Sequence, residues 1–200
     1  MTLPPARLLL GAYLSYRSRG RHLVPDGPLV VAANHFSHLD PVVVSLAVGR
    51  PIRYLAVDEL YGNSKSFDRL ILWLGTIPLT RVRVPLGAMR TALAELENGG
   101  AVGLFPEGVR VWTWGEVERP KRGAAWLARR AGAALLPVAV TGTDQAMGRG
   151  TARISPRPVS VTVCEPLFPA DFDGEPDPIG AMTERWRERV DAAIRDAHTG

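Results

Sequence analysis

The sequence predicts an α/β domain with a mainly parallel β-sheet flanked by helices on both faces, because apolar runs of strand length alternate with helical segments along the chain. The runs Leu29–Ala33, Ala101–Phe105 and Ala134–Val140 are apolar without alternation, which is how strands buried on both faces read. Composition agrees. With 46% hydrophobic and 22% charged residues, 200 residues suffice for one substantial core, so disordered and fibrous classes drop out.

Taken in order, residues 3–19 read as an N-terminal amphipathic helix. Leu8, Leu9, Tyr13 and Tyr16 supply its apolar side, and Arg7, Arg17 and Arg19 its basic side. Asp26-Gly27 turns the chain into the first strand. Asp40-Pro41 reads as a helix start, an N-cap acid with proline at the first position, leading into Val42–Val48. Ile52–Val57 follows as a second strand. Ser66-Phe67-Asp68 opens a helix that Gly75 ends, and another runs from Pro85 to Glu97 before Asn98-Gly99-Gly100 stops it. A third strand over 101–105, a helix over 122–131, a fourth strand over 134–140 and a fifth over Val159–Val163 complete the alternation. The last helix, 180–197, carries Met182, Trp186, Val190 and Ile194 on one stripe. A single domain is expected: a helical appendage over 1–24, an α/β core over 25–165, and an acidic linker with the C-terminal helix over 166–200.

The net charge of +4 is unevenly spread. Acidic residues concentrate after Glu165, so the preceding body is more basic than the total, and its cations are nearly all arginine, which suits phosphate and carboxylate. Such a body suits nucleic acid, an anionic membrane or a phosphorylated small molecule. No basic stripe interleaved with aromatics and no reader motif supports nucleic acid. The single cysteine, Cys164, excludes an internal disulfide and a Cys-based zinc site. No apolar run approaches the ~20 residues of a spanning helix, and the N-terminus lacks a basic leader. The expectation is a cytoplasmic protein, peripheral on the inner face of the cell membrane.

Ligands of such sheets bind beyond the carboxyl ends of the strands. The first strand runs there into Asn34-His35-Phe36-Ser37-His38-Leu39-Asp40. A loop of this span can fold back so that Asp40 accepts a hydrogen bond from one imidazole nitrogen of His35, leaving the other basic and aimed at a substrate hydroxyl. A purely structural reading, in which both residues cap the following helix, stays open. The third strand delivers Phe105-Pro106-Glu107-Gly108-Val109-Arg110, where Gly108 permits close backbone approach and Glu107 and Arg110 can reach a ligand. Between them Gly75-Thr76-Ile77-Pro78-Leu79-Thr80-Arg81 ends in an arginine, and Arg81 and Arg110 can hold a phosphate bidentately.

Together these segments resemble the PlsC-like glycerolipid acyltransferases, the lysophosphatidate and glycerol-3-phosphate acyltransferases. The N-H-x4-D block is matched by Asn34, His35 and Asp40, with the frequent serine at Ser37. Gly75 and Arg81 match the second block; Phe105, Pro106, Glu107, Gly108 and Arg110 match the third, F-P-E-G-x-R; Leu136-Pro137-Val138 matches the fourth. Lys121-Arg122-Gly123-Ala124-Ala125 also looks like the family, and order and spacing agree across 28–142. The resemblance implies His35 as general base and Asp40 as its orienting partner. It implies Arg81, Glu107, Gly108 and Arg110 as the acceptor-binding group. It implies acyl transfer from acyl-CoA or acyl-carrier protein to a lysophospholipid hydroxyl, with no metal or redox cofactor.

Three departures bear on substrate. Pro78 stands where many relatives carry phenylalanine. Val109 and Val111 replace threonine and serine around Arg110. Val57 replaces a lysine in the second strand, with Lys65 as a candidate substitute. For membrane contact the candidates are the 3–19 helix and the pair Trp112 and Trp114, with core packing as the competing reading. Other reaction classes fit less well. His35, His38 and Asp40 do not form an H-E-x-x-H metal pattern, Gly62-Asn63-Ser64-Lys65-Ser66 lacks the second glycine of a serine-hydrolase elbow, and Val109-Arg110 replaces the Lys-Ser/Thr of a P-loop. A non-catalytic lipid-binding relative remains the competitor from a different class.

Overall fold

The computed structural model describes residues 11–57, 77–79, 86–148 and 153–199. Gly75, Arg81, Lys65, the helix expected over 66–75 and residues 3–10 of the N-terminal helix lie outside the described residues.

Leu29–Ala33 (β2) is apolar because it is the central strand, buried at every position. It lies between two other parallel strands, Ala101–Leu104 (β5) and Ala134–Thr141 (β6). Arg53–Val57 (β3) and Ile77–Leu79 (β4) extend the sheet beyond β5, again in parallel. On the other side Ser160–Val163 (β7) runs antiparallel to β6, and Arg17–Arg19 (β1) pairs parallel to β7. The order is β1-β7-β6-β2-β5-β3-β4.

Alternate residues of β2 feed two cores. Leu29, Val31 and Ala33 pack with Val43, Val44, Ala47 and Val48 of α1 (Asp40–Val48) on one face. Val30 and Ala32 pack on the other face with α2 (Leu86–Glu97), α3 (Gly123–Ala131) and α5 (Pro178–Thr199). The α/β reading therefore holds, with both faces of the sheet covered. A short helix, α4 (Thr143–Ala146), follows β6 and adds Ala146 to the α1 side.

The N-terminal helix does not extend to residue 19. Residues 11–14 are helical, but Ser15 adopts a left-handed φ of 45° and the chain then forms β1. Arg17 and Arg19, expected on one helix face, are the exposed positions of an edge strand whose exposed–half-buried–exposed pattern follows the pleat. The other edge strand, β4, also lay outside the expectation. It contains Pro78, which suits a strand that is outermost among the described residues.

The C-terminal stripe is as the periodicity predicts: Met182, Trp186, Val190 and Ile194 are all buried. Trp186 does more than fill space, since its Nε1–H donates to the Ala32 carbonyl at 2.9 Å. The terminal helix thereby holds the strand that leads into the candidate site. Replacing Trp186 by Phe removes the donor and should lower unfolding stability by about 1–3 kcal/mol in a denaturant titration; an unchanged midpoint would contradict this coupling.

Candidate active site

At the end of β2, Asn34 continues the sheet with its side chain. Its Nδ2 donates to the Val140 carbonyl at 2.9 Å, and its Oδ1 accepts the Val140 N–H at 2.7 Å, as a neighbouring strand residue would. The loop then turns around one atom. Asp40 Oδ2 accepts the backbone N–H of Phe36 at 2.7 Å and of Ser37 at 2.8 Å, and lies 2.8 Å from His35 Nδ1. Asp40 is fully buried and is the first residue of α1, with Leu39 at the cap position. Its carboxylate therefore points back into the loop instead of capping the helix, which corrects the N-cap expectation. Ser37 is structural as well: its hydroxyl donates to the Met147 carbonyl at 2.7 Å and accepts from Leu39 N–H.

His35 is held on every side but one. Its backbone N–H donates to Glu107 Oε2 at 2.6 Å, and its carbonyl accepts the Val111 N–H at 2.9 Å. Its ring stacks on Phe105 with centroids 4.0 Å apart and planes 17° from parallel, and Phe105 stacks in turn on Tyr54 at 5.8 Å. Gly103 makes room for this stack, because a Cβ there would lie 2.4 Å from two carbons of the Tyr54 ring. The Tyr54 hydroxyl is tied to the Pro41 carbonyl and to Ser45, and burial raises its pKa. A carboxylate accepting at Nδ1 selects, for the neutral ring, the tautomer with its proton on that nitrogen and the lone pair on Nε2. Among the described residues Nε2 has no hydrogen-bond partner, and the side chain keeps 14% exposure. The arrangement fixes the orientation of the imidazole and leaves part of it open to solvent.

The third block surrounds this base. Glu107 is buried, and burial pushes its carboxyl up to about 8; the His35 N–H opposes the shift, while the charges of Asp40 and Glu116 add to it. Gly108 has a left-handed φ of 71°, and a Cβ there would meet Lys121 Cε and Nζ at 2.5 Å. Arg110 is half-buried and its cation bears on His38. Burial first, then Arg110 and His35, lower the His38 pKa to about 4, so this second histidine is neutral where His35 would work.

Sequence reasoning thus located His35, Asp40, Glu107, Gly108 and Arg110 in segments that the structure brings together, whereas Arg81 lies outside the described residues. It missed Tyr54, the stacking role of Phe105 and the lysine over Gly108. The two tryptophans separate. Trp112 is 64% exposed, but Trp114 packs edge-on against Trp186 and donates to Asp191, so for Trp114 the core reading holds. Of the two valines near Arg110, Val111 belongs to the core and Val109 is exposed. No three His, Cys, Asp or Glu side chains converge as a metal set among the described residues.

A family model described as Acyltransferase matches residues 15–141. The chain is 30% identical over 174 residues to a 1-acyl-sn-glycerol-3-phosphate acyltransferase of Bacillus subtilis, covering 84% of this chain and 82% of that protein. It is 28% identical over 135 residues to the chloroplastic 1-acyl-sn-glycerol-3-phosphate acyltransferase LPAT1 of Arabidopsis thaliana, covering 64% of this chain and 36% of the plant protein. Among solved structures, the 1-acyl-sn-glycerophosphate acyltransferase PlsC of Thermotoga maritima matches with a TM-score of 0.69 and 27% identity, over 90% of this chain and 72% of that one.

The buried acid makes stability pH-dependent with a defined sign. Unfolded, Glu107 releases its proton near 4.5; folded, it keeps it to about 8, so its share of stability is lost as pH rises across that window. Glu107→Gln removes the titration. The melting temperature of the variant relative to wild type should therefore climb between about pH 5 and pH 9. A constant difference would show that the carboxyl ionises normally.

Proposed function

Because the chain belongs to the acyltransferase family, we propose that it moves a fatty acyl group from acyl-CoA or acyl-carrier protein to the free hydroxyl of a lysophospholipid, with 1-acylglycerol-3-phosphate as the acceptor. The observation that carries this reading is the 2.8 Å contact of His35 Nδ1 with buried Asp40, which leaves Nε2 basic at the mouth of the sheet. The names of the Bacillus and Thermotoga relatives support the choice of acceptor.

In the reaction, His35 Nε2 takes the proton of the acceptor hydroxyl as its oxygen attacks the thioester carbonyl. Asp40 stabilises the imidazolium that forms and keeps the ring from rotating. The tetrahedral oxyanion collapses with cleavage of the carbon–sulfur bond, and the departing thiolate takes the proton back from His35. The acceptor brings its own nucleophile, so no acyl-enzyme and no cofactor enter the scheme. Arg110 is assigned to the acceptor phosphate with Gly108 allowing close approach, and Arg81 joins them on the strength of its motif position.

The acceptor resides in a bilayer, and we assign membrane contact to the end of the sheet that carries His35. Val109 within the third block and Trp112 just after it are exposed there. Strand register brings the start of β1 to the same end, since Arg17 pairs Ser160 and Ser160 pairs Thr141 at the close of β6; just before it, Tyr13 is exposed. None of the described helices is long and apolar enough to cross a membrane. We therefore place the protein peripherally on an anionic surface, the inner face of the cell membrane.

Free-thiol release from acyl-CoA or acyl-carrier protein with 1-acylglycerol-3-phosphate should fall about 10²- to 10⁴-fold in His35→Ala while the fold is kept; equal rates would defeat the assignment. Wild type should also co-sediment with anionic vesicles at low salt, and Trp112→Ala with Val109→Ser should weaken that binding. Vesicle binding indifferent to both changes would place the contact elsewhere.

A further inference from the structure

We propose that Glu107 is a positioning residue, which fixes the main chain of His35 and makes no contact with the acceptor. The inference rests on the acyl-transfer reading above and deepens it, because it removes one of the four residues that motif matching assigns to the acceptor.

In the β2–β5 ladder Ala32 stands opposite Leu104, an offset of 72 residues. His35 and Glu107 are separated by the same 72 residues, so their contact is the ladder carried three residues beyond its last pair. At that point the β5 side offers a carboxyl oxygen, at 2.6 Å from the His35 N–H. On the other side of His35 its carbonyl receives the Val111 N–H. The peptide units flanking the base are thus both tied to the third block, one through a side chain and one through main chain.

Location argues the same way. The imidazole stacks against Phe105, which stacks in turn on Tyr54, and both aromatic rings pack with the α1 face of the sheet. Glu107 instead lines a small cleft with Trp114, Val117, Pro120, Trp186 and Arg187, and the two tryptophans pack with the opposite face. Glu107 is 6% exposed, and its second oxygen, Oε1, is buried without a hydrogen-bond partner among the described residues. A group displayed to a phosphorylated acceptor would need an open, cationic setting. Glu107 has a closed one, on the face of the sheet away from the imidazole stack. What its position requires is a hydrogen-bond acceptor at the end of a side chain of this length.

Two substitutions separate the roles. Glu107→Gln keeps a carbonyl oxygen for the His35 N–H, and Glu107→Met keeps the length without the acceptor. Measured on the full chain with 1-acylglycerol-3-phosphate and a fixed acyl donor, Gln should hold kcat within about fivefold of wild type, and Met should lose about 10- to 100-fold in kcat. In both, KM for the acceptor should stay within about threefold. A rise in acceptor KM of tenfold or more in the Gln variant, with kcat kept, would overturn the proposal and return Glu107 to the acceptor site (~1.4 kcal/mol of lost binding). Equal loss of kcat in both variants would also overturn it, since the acid itself would then be required. Should Met fail to fold, the Gln variant decides by its kcat–KM split alone. Wild-type inactivity toward every acylatable acceptor would instead sink the acyl-transfer reading.

Discussion

Asp40 Oδ2 receives two consecutive backbone N–H groups and the imidazole of His35, and the geometry of the candidate site follows from that convergence. The two N–H groups curl the chain from β2 toward α1 within the span from His35 to Asp40. The same curl delivers the carboxylate to Nδ1. Because Asp40 opens α1, its backbone is rigid, and because it is fully buried, water does not compete for the bond. A charged acceptor excluded from solvent costs free energy unless donors surround it, and this loop supplies three to one oxygen. Oδ1 has no hydrogen-bond partner among the described residues, a cost that the rest of the fold must offset.

The remaining restraints on His35 come from farther along the chain. Asn34 locks the strand exit to β6, Trp186 reaches from the terminal helix to Ala32, and the Tyr54–Phe105 stack fixes the plane of the ring. A base held this way loses little freedom when the acceptor arrives, which is the preorganisation that acid–base catalysis rewards. The neighbouring His38, kept neutral by burial and by Arg110, does not add charge beside the imidazolium that the scheme requires.

Most of this was legible where the physics is local. Strands buried on both faces announce themselves as unbroken apolar runs, so β2, β5 and β6 fall within a residue or two of where the sequence places them. The edges did not read. β1 is an Arg-Ser-Arg triplet and β4 carries a proline, so neither has the composition of a buried strand, and their pairing is decided by partners far away in sequence. The same division runs through the site. The His35–Asp40 pair lies within one short loop and its spacing suggests it, but which way the carboxylate of Asp40 points depends on where the helix begins. The contact of Glu107 with the His35 main chain needs the β2–β5 register, and the Tyr54 stack needs the absent side chain of Gly103. The signal was present in Gly103, a glycine inside an apolar strand, which marks close approach by another group. Trp112 and Trp114, two residues apart and chemically alike, part company only when the terminal helix is in place.

The central claim is that a carboxylate, and not merely a hydrogen-bonding group of its shape, sets the His35 tautomer. The most direct measurement is the kcat of Asp40→Asn for acyl transfer to 1-acylglycerol-3-phosphate, taken beside a melting curve that shows the variant folded. An amide can donate to Nδ1 as readily as accept from it, so the ring is free to take the wrong tautomer, and the imidazolium loses its counter-charge. The account predicts a fall of about 10²- to 10⁴-fold. A folded Asn variant turning over within a few-fold of wild type would contradict it.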